Sequence, residues 1–359
     1  MAIKEDYIPA VRWRQGEYQA FLRLPDAAKA RLRPLISIPA MEYDFETGEP
    51  DCSMHDHAVK FIKRYRAKWK NRVALIDVDT SFHTEMVDGK SFIEYIFTEL
   101  RAAGAVAVPV ISLDYDVPVI GLLADAASID GNGVCIRVRT EHLMSATASA
   151  RIAKLIGQIG VAPNDVDFLV DLGAPTYEPY AAFAKGLTAA ISKVADLDNF
   201  RSFAMLGTAF PETMPPGKGE SNLVRHEWLF YKEFVKALPK GFRRPIFGDY
   251  TTVNPAFKAD FDMRKIKPAG KVVYTTPEAW FVQKGGSFRD NRDQMHGHCE
   301  KVVKSGKFKG AAYSDGDSYI ARCAKKEKDA GPSTLTRWKE VGISHHVMQV
   351  LEDVSKFHA

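Results

Sequence analysis

RVALIDVDT, residues 72–80, reads as a β-strand that carries two aspartates, Asp77 and Asp79, toward its end. Side chains alternate faces along a strand, so residues two apart project together. A buried strand of a parallel sheet is normally an unbroken Val/Ile/Leu run, because an unpartnered charge taken out of water is costly. VCIRVRT, residues 134–140, poses the same question with the opposite sign, through Arg137 and Arg139. Each pair has to be neutralised, solvated at a strand end, or used to bind something.

Outward from these two stretches, similar apolar runs recur: IPAVRWR (8–14), PLISIPA (34–40), VAVPVISL (106–113), VDFLVDLGA (166–174), FRSFAMLGTAF (200–210) and RRPIFGDYT (243–251). Segments with apolar residues at helical spacing separate them, such as GEYQAFLRLPDAAKARL, HDHAVKFIKRYRAKWK and SFIEYIFTELRAAG, the last stopping at Gly104. Eight strands alternating with helices predict parallel pairing and a closed (β/α)8 barrel of the TIM type, an α/β fold. The rival is a doubly wound open sheet, which announces itself with a glycine-rich first turn; here that turn, RWRQGEY, holds a single glycine. The barrel is expected over residues 1–306, with a β-hairpin inserted at about 252–286, and residues 307–359 are expected to pack on it as a C-terminal extension.

With 49 basic and 45 acidic residues, the net charge of +4 is too slight to mark the whole chain as a nucleic-acid or anionic-membrane binder, so any anion site has to be local. No stretch approaches the roughly 20 apolar residues of a membrane helix, and MAIKEDYIPAVRW lacks a secretory signal; a cytoplasmic protein is expected. Four scattered cysteines, Cys52, Cys135, Cys299 and Cys323, suit reduced thiols.

In a barrel of this type functional groups cluster where strands run into the following loops. Parity places Asp77 with Asp79, Arg137 with Arg139, Arg12 with Arg14, Asp171 beside Leu169 and Asp249 beside Phe247, while Asp114 and Glu42 end two further strands. Together they predict a ring of Asp and Arg at one mouth. Such a ring either grips a phosphate or carboxylate with its guanidinium forks or closes the barrel as a salt-bridged plug. Asp77 and Asp79, with His83 nearby, are also candidate ligands of a divalent cation. Two clusters, Cys52/His55/His57 and His296/His298/Cys299, supply three zinc-type ligands each without matching a zinc motif. VRHEWLFY brings Arg225, Glu227, Trp228 and Tyr231 into about one and a half turns of helix. Near the C-terminus, His346 in GISHHVMQ is a candidate proton-transfer group, Asp317 lies in SDGDSY, and a buried structural histidine is the plain alternative. KFIKRYRAKWKNR interleaves aromatic and basic residues and reads as the solvated face of an amphipathic helix, with nucleic acid as the less favoured partner. GxSxG, Walker, HExxH and EF-hand motifs do not occur.

YIPAVRWRQGEYQA, PLISIP, VRHEWLFY, FGDYT and RWKEVGISHHVMQV occur in this order over nearly the whole chain, and in them the sequence resembles the phage and prophage beta protein family. The resemblance implies a setting of mobile elements and phage defence, and no settled reaction. It points to Glu17, Arg225, Glu227, Asp249 and Tyr250 as site residues. It also implies a lysine where Arg12 or Arg14 stands and an acidic residue where Ser37 stands, and the chain departs at both. The expected function is an anion-binding pocket at the mouth. In an enzyme, a hydrolase or phosphoester-cleaving one, Arg12, Arg14, Arg137 and Arg139 hold negative charge. Asp77, Asp79 or Asp249 then serves as base or metal ligand, His346 as proton carrier. The other class is a non-catalytic sensor or scaffold that binds a protein partner.

Overall fold

Runs of β-branched and aromatic residues bounded by polar turns form strands where the sequence places them. In chain order these are β1 (Tyr7–Val11), β2 (Leu35–Ser37), β3 (Val73–Asp77), β4 (Val106–Ser112), β5 (Val134–Arg139), β6 (Val166–Asp171), β7 (Ser202–Gly207), β8 (Gly219–Val224) and β9 (Ile246–Asp249). All but β8 pair in parallel as β1-β2-β3-β4-β5-β6-β7-β9, and β9 closes the barrel on β1. The computed structural model describes residues 6–44, 46–257 and 265–359. Its residues fall into two units, the first made of Met1–Trp13, Leu32–Gly207 and Phe230–Asp249, the second of Arg14–Arg31, Thr208–Leu229 and Tyr250–Ala359.

The first unit holds the closed barrel. Its helices Met54–Lys68, Phe92–Ala102, Val117–Asp130, Ala148–Ile159 and Tyr180–Ile191 follow β2 to β6. Each turns an apolar stripe inward, for example Ile93, Ile96, Phe97 and Leu100 of the second, all essentially unexposed. Burying a side chain of that size stabilises the fold by about 1.5–3 kcal/mol. Ser53 and Ser91 cap two helix starts by accepting backbone N–H groups, and Gly131 and Gly160 end two others in the left-handed conformation. Register sets the height of the charged residues: Ser37 lies beside Asp77, Ser112 beside Arg137, and Arg139 beside Asp171.

The first strand is shorter than its sequence pattern. It stops at Val11, and Trp13 takes a left-handed φ of 51°, so the alternation expected to align Arg12 with Arg14 is broken between them. Arg14 instead sits at the start of the helix Gln15–Arg23, where its backbone N–H donates to Glu17 Oε2 at 2.9 Å. The long helix expected next breaks at Pro25, ahead of the short helix Asp26–Lys29.

The second unit carries an antiparallel sheet, β8 next to β11 (Ala279–Ser287) next to β10 (Ala269–Thr275). With it go the helices Gln294–Lys304, Asp315–Ala324 and Leu335–His358. Its core includes Tyr274, Phe281, Met295, Ile320, Trp338 and Val341. All four cysteines are free thiols, and among the described residues no helix is long and apolar enough to cross a membrane.

Candidate functional site

Three of the charged strand residues meet in the first unit, at the C-terminal mouth of the barrel. Arg137 reaches sideways from β5 and is shared: its Nη1 donates to Asp77 Oδ2 at 2.7 Å, while its Nε and Nη2 donate to Asp171 Oδ2 at 3.0 and 2.6 Å. Other donors also reach the two carboxylates. Asp77 accepts from Tyr115 and from Ser37, both at 3.2 Å, and Asp171 Oδ1 accepts the Gly173 N–H at 2.9 Å. The side chains of Arg137, Asp77 and Asp171 keep 16%, 9% and 5% of their exposure, so solvent still touches the group. Two carboxylates facing one guanidinium leave this triad with an excess of one negative charge. Burial, and then the neighbouring Asp77, push the Tyr115 phenol well above its ordinary range, so the hydroxyl stays protonated and donates. The ring of His83 stands edge-on to Tyr115 with 4.5 Å between centroids, and its Nε2 faces Val78 O.

Arg139 is placed differently from Arg137. It ends β5 in extended conformation, shares the face of Arg137, and is exposed. Among the described residues it has neither a hydrogen-bond acceptor nor an ion-pair partner. Beyond it, His142 faces Asp114 at 2.8 Å.

Asp79 does not join Asp77. The strand ends at Asp77, and Asp79 caps the short 3-10 turn Thr80–Phe82 by accepting from the Ser81 backbone and hydroxyl at 3.0 and 2.8 Å. The paired-carboxylate arrangement read from their spacing is therefore absent, because the strand pairing ends at Asp77 and the Asp79 carboxylate turns to Ser81. Asp249 is likewise on the other face. Its strand-mate Phe247 packs edge-on against Tyr231 of the helix His226–Ala237 and stacks on Tyr7, and Asp249 itself accepts the Tyr7 hydroxyl. Asp249 pairs in register with Gly207, whereas the inward Asp171 is level with Leu206, so Asp249 points out of the barrel. Arg12 is half-buried just past β1.

Arg14, Glu17, Arg225, Glu227, Tyr250 and His346 belong to the second unit. There Glu17 is buried and accepts from Lys339 Nζ at 2.9 Å. Arg225, fully enclosed, donates to Asp353 at 2.7 Å and to Thr276 O at 3.0 Å, and its Nε lies 3.5 Å from Glu227. Arg225 precedes the helix, which begins at His226, so helical spacing does not separate it from Glu227. Burial raises the Asp353 carboxyl above its ordinary value against the pull of Arg225. His346 has no exposure and bonds Thr275 Oγ1 at 3.0 Å. His345 beside it sits between Asp317, at 2.8 Å, and Thr275 O, at 2.7 Å. Tyr250 is half-buried.

The two zinc-like clusters disperse. His57 bonds Pro39 O, and its burial lowers its pKa; His55 faces Asp88; His296 bonds Cys323 O. Among the described residues no three His, Cys, Asp or Glu side chains converge to hold a metal.

Sequence reasoning overlooked Tyr115, which lies in the loop LDYDVP, and the whole polar floor of the barrel. Asp167 sits there on the same face of β6 as Asp171, four residues earlier. It accepts from Arg33 Nη1 at 2.7 Å, from Arg201 Nε and Nη2 at 3.0 and 2.7 Å, and from the Ser202 hydroxyl at 2.6 Å. The parity that singled out Asp77 and Asp79 would have found Asp167.

No curated protein matches the chain. Among solved structures, active domain 2 of chitinase from Pyrococcus furiosus, in a study of its catalytic-site mutants, is similar at 10% identity and a TM-score of 0.37, covering 69% of this chain and 84% of that one. The model of one family, Beta protein, matches residues 7–352, nearly the full length, and the chain belongs to the Beta protein family.

Proposed function

We propose that the mouth of the barrel binds a small anionic ligand carrying a phosphate or carboxylate, and that the protein works as a ligand sensor. Arg139 carries this reading. Two residues beyond a guanidinium fully committed to two carboxylates, it offers a second one that is exposed and has no acceptor among the described residues. A guanidinium presents five N–H donors in a planar fork that matches a phosphate or carboxylate. The Asp77–Arg137–Asp171 group, with Tyr115, then forms the polar bed for the hydroxyl-bearing part of the ligand. A nucleotide-like or phosphorylated molecule fits both requirements. The phage and anti-phage setting implied by the family resemblance, and a cytoplasmic location, belong to the same proposal.

Hydrolysis or phosphoester cleavage asks for a carboxylate with lone pairs ready for a proton or a divalent cation. Asp77 and Asp171 already accept at least three hydrogen bonds each, from Arg137, Tyr115, Ser37 and Gly173, Asp79 caps a turn, and Asp249 takes the Tyr7 hydroxyl. This bonding favours recognition over turnover. Titration calorimetry against nucleoside mono- and triphosphates, sugar phosphates and inorganic phosphate tests the proposal. At least one should bind, and Arg139→Ala should weaken it tenfold or more. Equal binding by wild type and Arg139→Ala, or no binding at all, would leave the self-paired triad as a structural plug and the chain as a scaffold.

A further inference from the structure

The helix Met54–Lys68 and the turn after it carry seven cations, Lys60, Lys63, Arg64, Arg66, Lys68, Lys70 and Arg72, and no acidic residue lies between Asp56 and Asp77. In a chain that is otherwise close to charge balance, this is a concentrated strip. Several of its charges repel one another at helical spacing: Lys60 with Lys63 and Arg64, Lys63 with Arg66, Arg64 with Lys68.

Elsewhere on the surface, several helical lysines are matched by glutamates three or four residues away, as in Lys236–Glu233, Lys304–Glu300 and Lys356–Glu352. Lys60, Lys63, Arg66 and Lys70 are all exposed, and none has an ion-pair partner among the described residues. Three acidic groups, Glu42 near His57, Asp88 against His55 and Asp56 in the first turn one turn ahead of Lys60, stand at the other end of this helix. The helix macrodipole favours cations in the last turn only, which accounts for Arg66 and Lys68 but not for Lys60 and Lys63.

The aromatic residues interleaved with these cations face the other way. Phe61, Tyr65 and Trp69 are buried, Trp69 donating to Val73 O and Tyr65 to Arg72 O. They offer no stacking platform for unpaired bases, which is what single-stranded binding uses. What the strip does present is a row of flexible point charges without a groove-reading amide or a bidentate fork fixed in place. Such a row suits phosphates and carries no sequence information.

We infer that the exposed cations Lys60, Lys63 and Arg66 of this helix, with Lys70 in the turn after it, bind the phosphate backbone of double-stranded nucleic acid without sequence preference. Binding of this kind releases condensed counterions, so four phosphate contacts give a slope of about −3.6 in log affinity against log salt, and a threefold rise in KCl weakens binding about fifty-fold. The site is remote in its chemistry from the barrel mouth and stands without it.

The test is fluorescence anisotropy of the full chain with labelled duplexes of about 20 base pairs, two unrelated DNA sequences and one RNA, over a range of KCl. The wild type should bind the duplexes with micromolar affinity at low salt, the two DNA sequences alike, with the slope given above. The variant Lys60→Gln/Lys63→Gln/Arg66→Gln/Lys70→Gln should lose tenfold or more in affinity and most of the slope. Its folding is checked by circular dichroism, and removing mutual repulsion should leave its melting temperature at or above that of the wild type. Arg139→Ala, at the mouth, should bind duplex normally. Equal binding and slope in the quadruple variant, a preference for a single strand over the duplex, or binding only to phosphatidylserine vesicles would each overturn the inference.

Discussion

The two ends of the barrel solve one problem with opposite charge balance. At the floor a single carboxylate, Asp167, is gripped by Arg33, Arg201 and Ser202; at the mouth a single guanidinium, Arg137, is gripped by Asp77 and Asp171. Asp167 and Asp171 stand on one face of one strand, four residues apart. The floor draws its partners from residues at or just ahead of the starts of β2 and β7, and its lone carboxylate is the enclosed member: the Asp167 side chain keeps 2% of its exposure, against 7% for Arg33 and 20% for Arg201. The mouth draws its partners from strand ends, and there the lone guanidinium, Arg137, is the most exposed member, at 16%. A minority charge cut off from water is held only by its pairing, whereas one that touches water can exchange a partner. That difference separates a plug from a site, and each end can be challenged by removing its minority charge.

The largest effect is expected at the floor. Asp167→Ala leaves the buried Arg33 guanidinium without its carboxylate and takes the same partner from Arg201, which is 20% exposed and still bonded to Asn132 O; it should cost about 3–5 kcal/mol, the range for breaking a buried ion pair. Urea unfolding measures this directly. A loss below about 1 kcal/mol would mean that water reaches the floor and that the two ends do not differ in kind.

Next comes Arg137→Met at the mouth, which leaves Asp77 and Asp171 without their shared cation. Because solvent already reaches this group, the expected loss is smaller, about 1–3 kcal/mol. A cost equal to that of Asp167→Ala would make the mouth a second plug and count against the ligand proposal. Raising the salt concentration should narrow the gap between wild type and Arg137→Met more than the Asp167→Ala deficit, since screening acts most where the minority charge itself touches solvent.

The contrast also shows what a sequence can and cannot disclose. The eight strands were legible because their apolar runs alternate with helical ones, and the position of Asp77, Arg137 and Asp171 near strand ends could be read from where those runs stop. The partners were not legible. Arg33 and Arg201 lie in turns more than 30 residues from Asp167, where only the closure of the barrel brings them together. Trp13 and Asp79 defeated the parity argument for a local reason: a left-handed φ at one and a capping turn at the other end the strand before the pattern of residue types does. Asp249 obeyed parity but faced outward, since alternation tells which residues share a face and not which face lies inside. The second unit, assembled from three separated stretches including Arg14–Arg31 and Thr208–Leu229, has no marker in composition or spacing.

Tyr115→Phe probes the mouth more gently. It deletes the hydroxyl that donates to Asp77 at 3.2 Å and leaves the ring against His83. A net loss of about 0.5–1.5 kcal/mol is expected for one such bond. If Tyr115 helps to form the bed of a ligand site, ligand affinity should fall by more than stability does. A fall in stability alone would assign Tyr115 to the structural side of the comparison.

The smallest effect on stability, and the most decisive, belongs to Arg139→Ala. An exposed side chain without an acceptor among the described residues contributes little to folding, so the change should stay within about 0.5 kcal/mol. Its neighbour two residues back carries the same charge on the same face, yet there the expected cost is several times larger, because Arg137 is committed and Arg139 is not. A guanidinium that the fold does not use is what a binding site holds in reserve for an anion. Arg139→Ala should therefore separate the two properties, with unfolding unchanged and affinity for a phosphorylated ligand reduced tenfold or more. Arg139→Lys sharpens the result: it keeps the charge and loses the planar fork, so partial recovery of binding indicates a point-charge contact, and none indicates bidentate recognition.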